Sequence, residues 1–151
     1  MDKRLKLNSE LPVSRQTVIN IFLSNTWIKT DILSVLKPYD LSVEQFNVLR
    51  ILRGQKGNPL NLQDIQERMV NKMSNTTRLI DKLIKKGYVN RNQCEANRRK
   101  IEIYITQDGI EILKTIDPLI DQKEEQITSN LSKTELLELN RLLLKLKQNE
   151  Q

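Results

Sequence analysis

Residues 72–106 read KMSNTTRLIDKLIKKGYVNRNQCEANRRKIEIYIT. Stepped at 100° per residue, Met73, Thr76, Ile80, Leu83 and Ile84 fall on one side of a helix that the pattern starts near Lys72. Asn71, Ser74, Asn75, Arg78, Lys82 and Lys85 fall on the other, and Gly87 is a suitable glycine to stop the helix. Two strands follow, near Tyr88 to Arg91 and Lys100 to Thr106. In the second, Ile101, Ile103 and Ile105 alternate with Glu102 and Tyr104, the period of a half-buried strand. Between the strands lies Asn92 to Arg99, polar throughout and basic at its end.

The positive charge of the chain is concentrated in this region. Between Arg68 and Lys100 there are ten basic and two acidic residues, a net of +8, whereas the remainder carries fifteen basic and seventeen acidic residues, a net of −2. A cationic helix followed at once by a cationic hairpin is what a DNA groove and its flanking phosphates require.

Working outward, Ser42-Val43-Glu44-Gln45 is a capping-box pattern opening a helix with Phe46, Leu49 and Leu52 along its apolar stripe. Gly54 to Pro59 ends it, and Leu60-Asn61-Leu62 reads as a very short strand. Asn61 caps a third helix from Gln63 to about Met69. Upstream, Val18, Ile21, Phe22, Ile28, Ile32, Val35 and Leu36 recur at helical spacing from Ser14 to Lys37, before Pro38, which disfavours helical geometry at the residue preceding it. Downstream, Thr106 caps a helix carrying Ile110, Leu113, Ile116, Ile120 and Ile127, with Pro118 expected to kink or divide it. Ser132-Lys133-Thr134-Glu135 opens a last helix with a leucine stripe. The expected fold is mainly α with a small β-hairpin: a winged helix-turn-helix flanked by N- and C-terminal helices.

Composition narrows the function classes. The chain of 151 residues has no histidine, one cysteine and four glycines, all of which read as turns or helix ends. Common zinc sites and histidine general-base catalysis are therefore out of reach, no phosphate-binding glycine loop is present, and no metal or cofactor is expected. The lone Cys94 reads as an incidental loop residue. With 29% charged residues and no apolar run near the ~18 residues of a bilayer span, a membrane protein is not expected. Met1 to Lys6 lack a signal peptide's apolar core, so the expected location is cytoplasmic.

Five stretches together resemble the multiple-antibiotic-resistance regulator (MarR) family of winged-helix transcription factors. They are Leu41 to Phe46, Thr77 to Leu83, Lys86 to Arg91, Asn97-Arg98-Arg99, and Ile105 to Gly109, in that order across nearly the whole chain. The resemblance implies one domain over 1–151, with dimerisation helices at 14–37 and 107–148 around a DNA-binding core at 42–106. It implies a homodimeric regulator of transcription, more readily a repressor, whose partners are double-stranded DNA and its own second copy. The candidate DNA contacts are Lys72, Ser74, Asn75, Thr77, Arg78, Lys82, Arg98, Arg99 and Lys100. It further implies a pocket for a small aromatic ligand, for which Phe22, Trp27, Tyr39 and Phe46 are candidates, although core packing is an alternative use of those rings. In the wing the family's usual acid two residues before the arginine is replaced by Asn97, whose amide can accept a hydrogen bond from the Arg99 guanidinium only without charge assistance.

Residues alone support the dimer, because the outer helices carry apolar stripes that a domain this small does not easily bury; the alternative is that they fold back on their own winged helix. Two other functions stay open: a non-specific or architectural DNA binder, and a winged helix used as a protein-interaction module.

Overall fold

The structure, a computed structural model, describes residues 11–148. The N-terminal reading over Met1 to Lys6 lies outside the described residues. Six helices and one hairpin follow in the order α1 (Val13–Leu36), α2 (Val43–Arg53), α3 (Leu62–Arg68), α4 (Thr76–Lys85), β1 (Val89–Gln93), β2 (Ile101–Ile105), α5 (Gln107–Ile127) and α6 (Lys133–Lys147). The strands pair antiparallel with Val89 opposite Ile105 and Gln93 opposite Ile101.

Side chains define most helix starts. Ser42 and Gln45, Asn61 and Asp64, and Ser132 and Glu135 each form a reciprocal capping box at α2, α3 and α6, satisfying amides that a helix leaves free. At the end of α4, Gly87 takes φ 78°. Its N–H donates to the Ile84 carbonyl at 3.0 Å, and the Tyr88 N–H to that of Leu83 at 3.0 Å, the pairing of a Schellman stop.

The core belongs to the middle of the chain. Phe46, Val48, Leu49 and Leu52 of α2, Ile65 of α3, Ile80 and Leu83 of α4, Val89 and Ile103 of the hairpin, and Leu113, Ile116 and Ile120 of α5 are all buried. Leu36 and Leu41 close it from the α1 side. The winged helix and the first half of α5 thus share one interior, while α1 lies along α5.

Several expectations are corrected. The helix of the quoted stretch starts at Thr76 and not near Lys72, because Asn71 and Asn75 hold the backbone before it in a turn. A 100° projection therefore fails for Met73, which is 92% exposed and not on the inner side. The fragment Leu60-Asn61-Leu62 is a single bridge from Leu60 to Ile103, and Leu62 already belongs to α3. Ile101 is exposed at the end of its strand. Pro38 does not stop helical geometry: Lys37 has φ −57° and ψ −41°, and a 3-10 turn runs through Lys37–Tyr39. The reversal comes at Asp40, with φ 53°. Nor does Pro118 divide α5; it and Lys114 are exposed, where water can serve the carbonyl left without a donor.

Gly109, in the first turn of α5, is more than a helix-end glycine. A Cβ there would stand 2.4 Å from the Tyr88 carbonyl oxygen and 2.7 Å from Ile105 Cγ1. Thr106 fixes this approach, its N–H donating to the Tyr88 carbonyl at 3.0 Å and its hydroxyl to the Gly87 carbonyl at 2.6 Å. Since the obstacle is backbone, Gly109→Ala should cost about 1–3 kcal/mol of stability, read as an earlier urea midpoint. An unchanged midpoint would show that the hairpin can move aside freely.

Candidate nucleic-acid interface

The candidate contacts lie on two elements joined by a brace. Arg91 of β1 pairs with Asp81 of α4 at 3.1 Å, linking the hairpin to the outer flank of the helix. On α4, Thr77, Arg78, Lys82 and Lys85 are exposed; in the β1–β2 turn, so are Arg98, Arg99 and Lys100. Among the described residues, none of these six cations has an acidic partner within ion-pair distance. Lys29, Arg50, Arg53, Lys86, Lys114 and Arg141 do have one, while others such as Lys56, Lys123 and Lys133 do not, so the six are set apart by their clustering. Asp81, an acid beside the group, is already held by Arg91. The result is concentrated positive charge in which Glu95 and the engaged Asp81 are the acids.

The N-terminal end of α4 is built differently from its middle. Asn75 caps the helix, its Oδ1 accepting from the Arg78 N–H at 3.2 Å. A bidentate adenine contact would use that same oxygen, of which the cap already occupies one lone pair. The Ser74 hydroxyl is buried and without a partner among the described residues, which corrects its expected place on the outer face. Lys72 also departs from expectation: its ammonium donates back to the Glu67 carbonyl at the end of α3. Gln66 spans the same turn, donating to the Lys72 carbonyl at 2.7 Å while accepting from the Thr76 hydroxyl. From α2, Asn47 Oδ1 accepts from the Val70 N–H at 2.9 Å. Neither Gln66 nor Asn47 was singled out in the sequence, because each makes a contact that no local pattern signals.

In the wing, Asn97 does not meet the Arg99 guanidinium. Its Oδ1 accepts from the Arg99 backbone N–H at 3.1 Å, and the Lys100 N–H donates to its carbonyl at 2.9 Å. Asn97 therefore shapes the turn and leaves the Arg99 side chain unbraced by it, contrary to the expected amide–guanidinium bond.

A second joint connects α5 to α2. Asp117 accepts from Arg50 at 3.2 Å and also from Arg53, both on α2. Burial works to raise the Asp117 pKa, but the hydrogen bonds from Arg53 and Arg50 outweigh it and hold the carboxyl below its ordinary value. Arg50 also lies over the Phe46 ring, 4.4 Å from its centroid.

The four candidate ligand-pocket aromatics do not converge. Phe46 lines a cleft of about 530 Å³ between α1, α2 and α5, whose far edge is Val70 and Asn71 in the turn before α4. Tyr39 lines a separate cleft with Pro38, Leu119 and Lys123. Phe22 and Trp27 line neither and are 66% and 52% exposed, so they are not core residues either. Helical spacing places Phe22 on the apolar stripe of α1 but does not tell whether that stripe is covered within one chain.

Residues 41–101 match the MarR family model, spanning α2 through the start of β2. An uncharacterised HTH-type transcriptional regulator of Bacillus subtilis, YfiV, is 36% identical over 75 residues, half of this chain and 46% of that protein. The chain spans between about half and two-thirds of the length of the first curated relatives it matches. Solved structures align more fully. A MarR-like transcription regulator from Bacillus cereus superposes with a TM-score of 0.80 at 26% identity, covering 89% of this chain and 96% of the other. A MarR mutant from Escherichia coli complexed with operator DNA gives 0.78 at 24%, covering 97% and 99%, a likeness of fold. A winged helix with this arrangement of outer helices, matched by the MarR family model over residues 41–101, is thus what the chain shares with MarR-type transcriptional regulators.

Proposed function

We propose that the chain is a sequence-specific double-stranded DNA-binding regulator of transcription, working as a homodimeric repressor on a near-palindromic operator. The observation that carries this reading is the cluster of six cations on α4 and the wing. Such a surface is stabilised by phosphates, and α4 presents side chains narrow enough for a major groove. In this division 14–37 and 107–148 are the dimerisation helices and 42–106 the reading core, within one domain over 1–151. The apolar faces of α1 and α6, exposed within one chain, support a second copy as their cover. A protein lying across a promoter blocks polymerase, which favours repression. Release by a small aromatic molecule is assigned to the Phe46 cleft, because its wall includes the turn that sets the start of α4.

Among the candidate contacts, Arg78, Lys82, Arg98, Arg99 and Lys100 keep their roles, with Thr77 beside them. Lys72, Ser74 and Asn75 act instead by shaping the turn and the cap. Selection of bound sequences from random duplex DNA tests the reading and should yield half-sites about 10 bp apart, centre to centre. Arg78→Ala should then cost about 1–3 kcal/mol on the selected operator and relax preference at one position per half-site. Equal weakening on operator and random duplex would make Arg78 a phosphate contact. An unselective pool would favour an architectural binder, and failure to bind any duplex a protein-interaction module.

A further inference from the structure

The two most exposed large apolar side chains among the described residues are Met73 at 92% and Val70 at 89%, and both lie in the turn between α3 and α4. Single exposed apolar residues are ordinary on protein surfaces. Two in one turn, beside the most basic surface of the chain, are not accounted for by the fold, since neither contributes to the core.

The turn is also held rigidly. The Met73 N–H donates to Asn71 Oδ1 at 3.0 Å and the Ser74 N–H to the Asn71 carbonyl at 3.1 Å. Gln66 holds the Lys72 carbonyl and Asn47 holds the Val70 N–H. Met73 is therefore presented outward on a fixed backbone, two residues before the helix cap Asn75. Its thioether side chain is free to adapt while its Cα is not.

We infer that Met73 is a specificity-determining residue that packs on the C5-methyl group of a thymine in the major groove. This rests on the DNA-binding reading above. Residues at the start of a recognition helix are those that meet base edges, and the thymine methyl is the apolar feature that a B-DNA major groove displays there. Lys72 and Arg78 on either side favour a polyanion over an apolar protein surface as the occupant. The contact explains why an apolar side chain stands where a basic face would otherwise be continuous.

The test uses the full-length chain and the operator obtained by selection. Each thymine of a half-site is replaced in turn by deoxyuridine, which removes the methyl group and leaves base pairing and hydrogen-bonding edges unchanged. At one position the wild-type protein should lose about four-fold in affinity, the value of one buried methyl, and about fifteen-fold when both half-sites are substituted. Met73→Ala should bind the thymine operator more weakly and be indifferent to deoxyuridine at that position. Met73→Leu should restore the discrimination. The inference is overturned if no deoxyuridine position matters to the wild type, or if Met73→Ala discriminates as the wild type does. A chain that binds no duplex at all would instead overturn the DNA-binding reading, and this contact with it.

Discussion

Raising monovalent salt from about 50 to 200 mM should weaken operator binding by three to five orders of magnitude, the loss expected when roughly six to ten phosphates are neutralised. The count follows from the surface. Each copy of the proposed dimer offers Arg78, Lys82, Lys85, Arg98, Arg99 and Lys100, without acidic partners among the described residues, so three to five phosphate contacts per copy are available. At about −0.9 per phosphate, log affinity against log salt should slope at roughly −5 to −9. The ion-paired cations provide the control. Lys86 is engaged by Asp40 at 3.1 Å, so Lys86→Ala should leave the slope unchanged, whereas Lys82→Ala should reduce its steepness by about one. Binding whose slope is shallower than about −2 would mean that these cations do not face phosphates, and the interface would have to be placed elsewhere.

What could be read in the sequence was local. The capping boxes at Ser42 and Ser132 and the cap at Asn61 formed as their spacing requires, because donor and acceptor lie three residues apart on one chain. The hairpin was legible for the same reason. The start of α4 was not. Lys72, Met73 and Ser74 continue the helical periodicity, but Asn71 and Asn75 offer side-chain oxygens to the backbone, and those bonds compete successfully with the helix. That difference of four residues moves Met73 from the interior to the surface and turns Ser74 inward. The candidate site was therefore legible in its charge and misread at its edge. Contacts between distant residues left no trace at all: Asp117 meets Arg50 and Arg53 across more than sixty residues, and nothing in either segment announces the other. In the wing, the Asn97 amide could reach either the guanidinium or the amide N–H of Arg99, and only geometry distinguishes the two.

Deleting the residues after Leu131 should convert a dimer into a monomer or an aggregate while leaving the winged helix folded. Within one chain α6 adds no buried residue to the interior: Leu137, Leu139, Leu142, Leu143, Leu144 and Leu146 are exposed, Leu136 is half-buried, and every buried apolar residue among the described residues lies between Leu36 and Ile120. Removing α6 therefore costs the core of a protomer almost nothing, and cooperative unfolding should persist. Pairing is another matter, because a leucine taken from water into an interface contributes about 1.5–3 kcal/mol and several would be lost from each copy. Without a partner the chain has one recognition helix and half of the phosphate contacts. Specific binding of about 10⁻⁸ to 10⁻¹¹ M would then fall by three or more orders of magnitude, toward the range of non-specific association. Sedimentation and operator titration of the same truncated sample read the two losses separately. If the truncated chain remains a soluble dimer with full affinity, α6 is not part of the pairing surface, and the exposed face of α1 around Phe22 and Trp27 must be covered in another way.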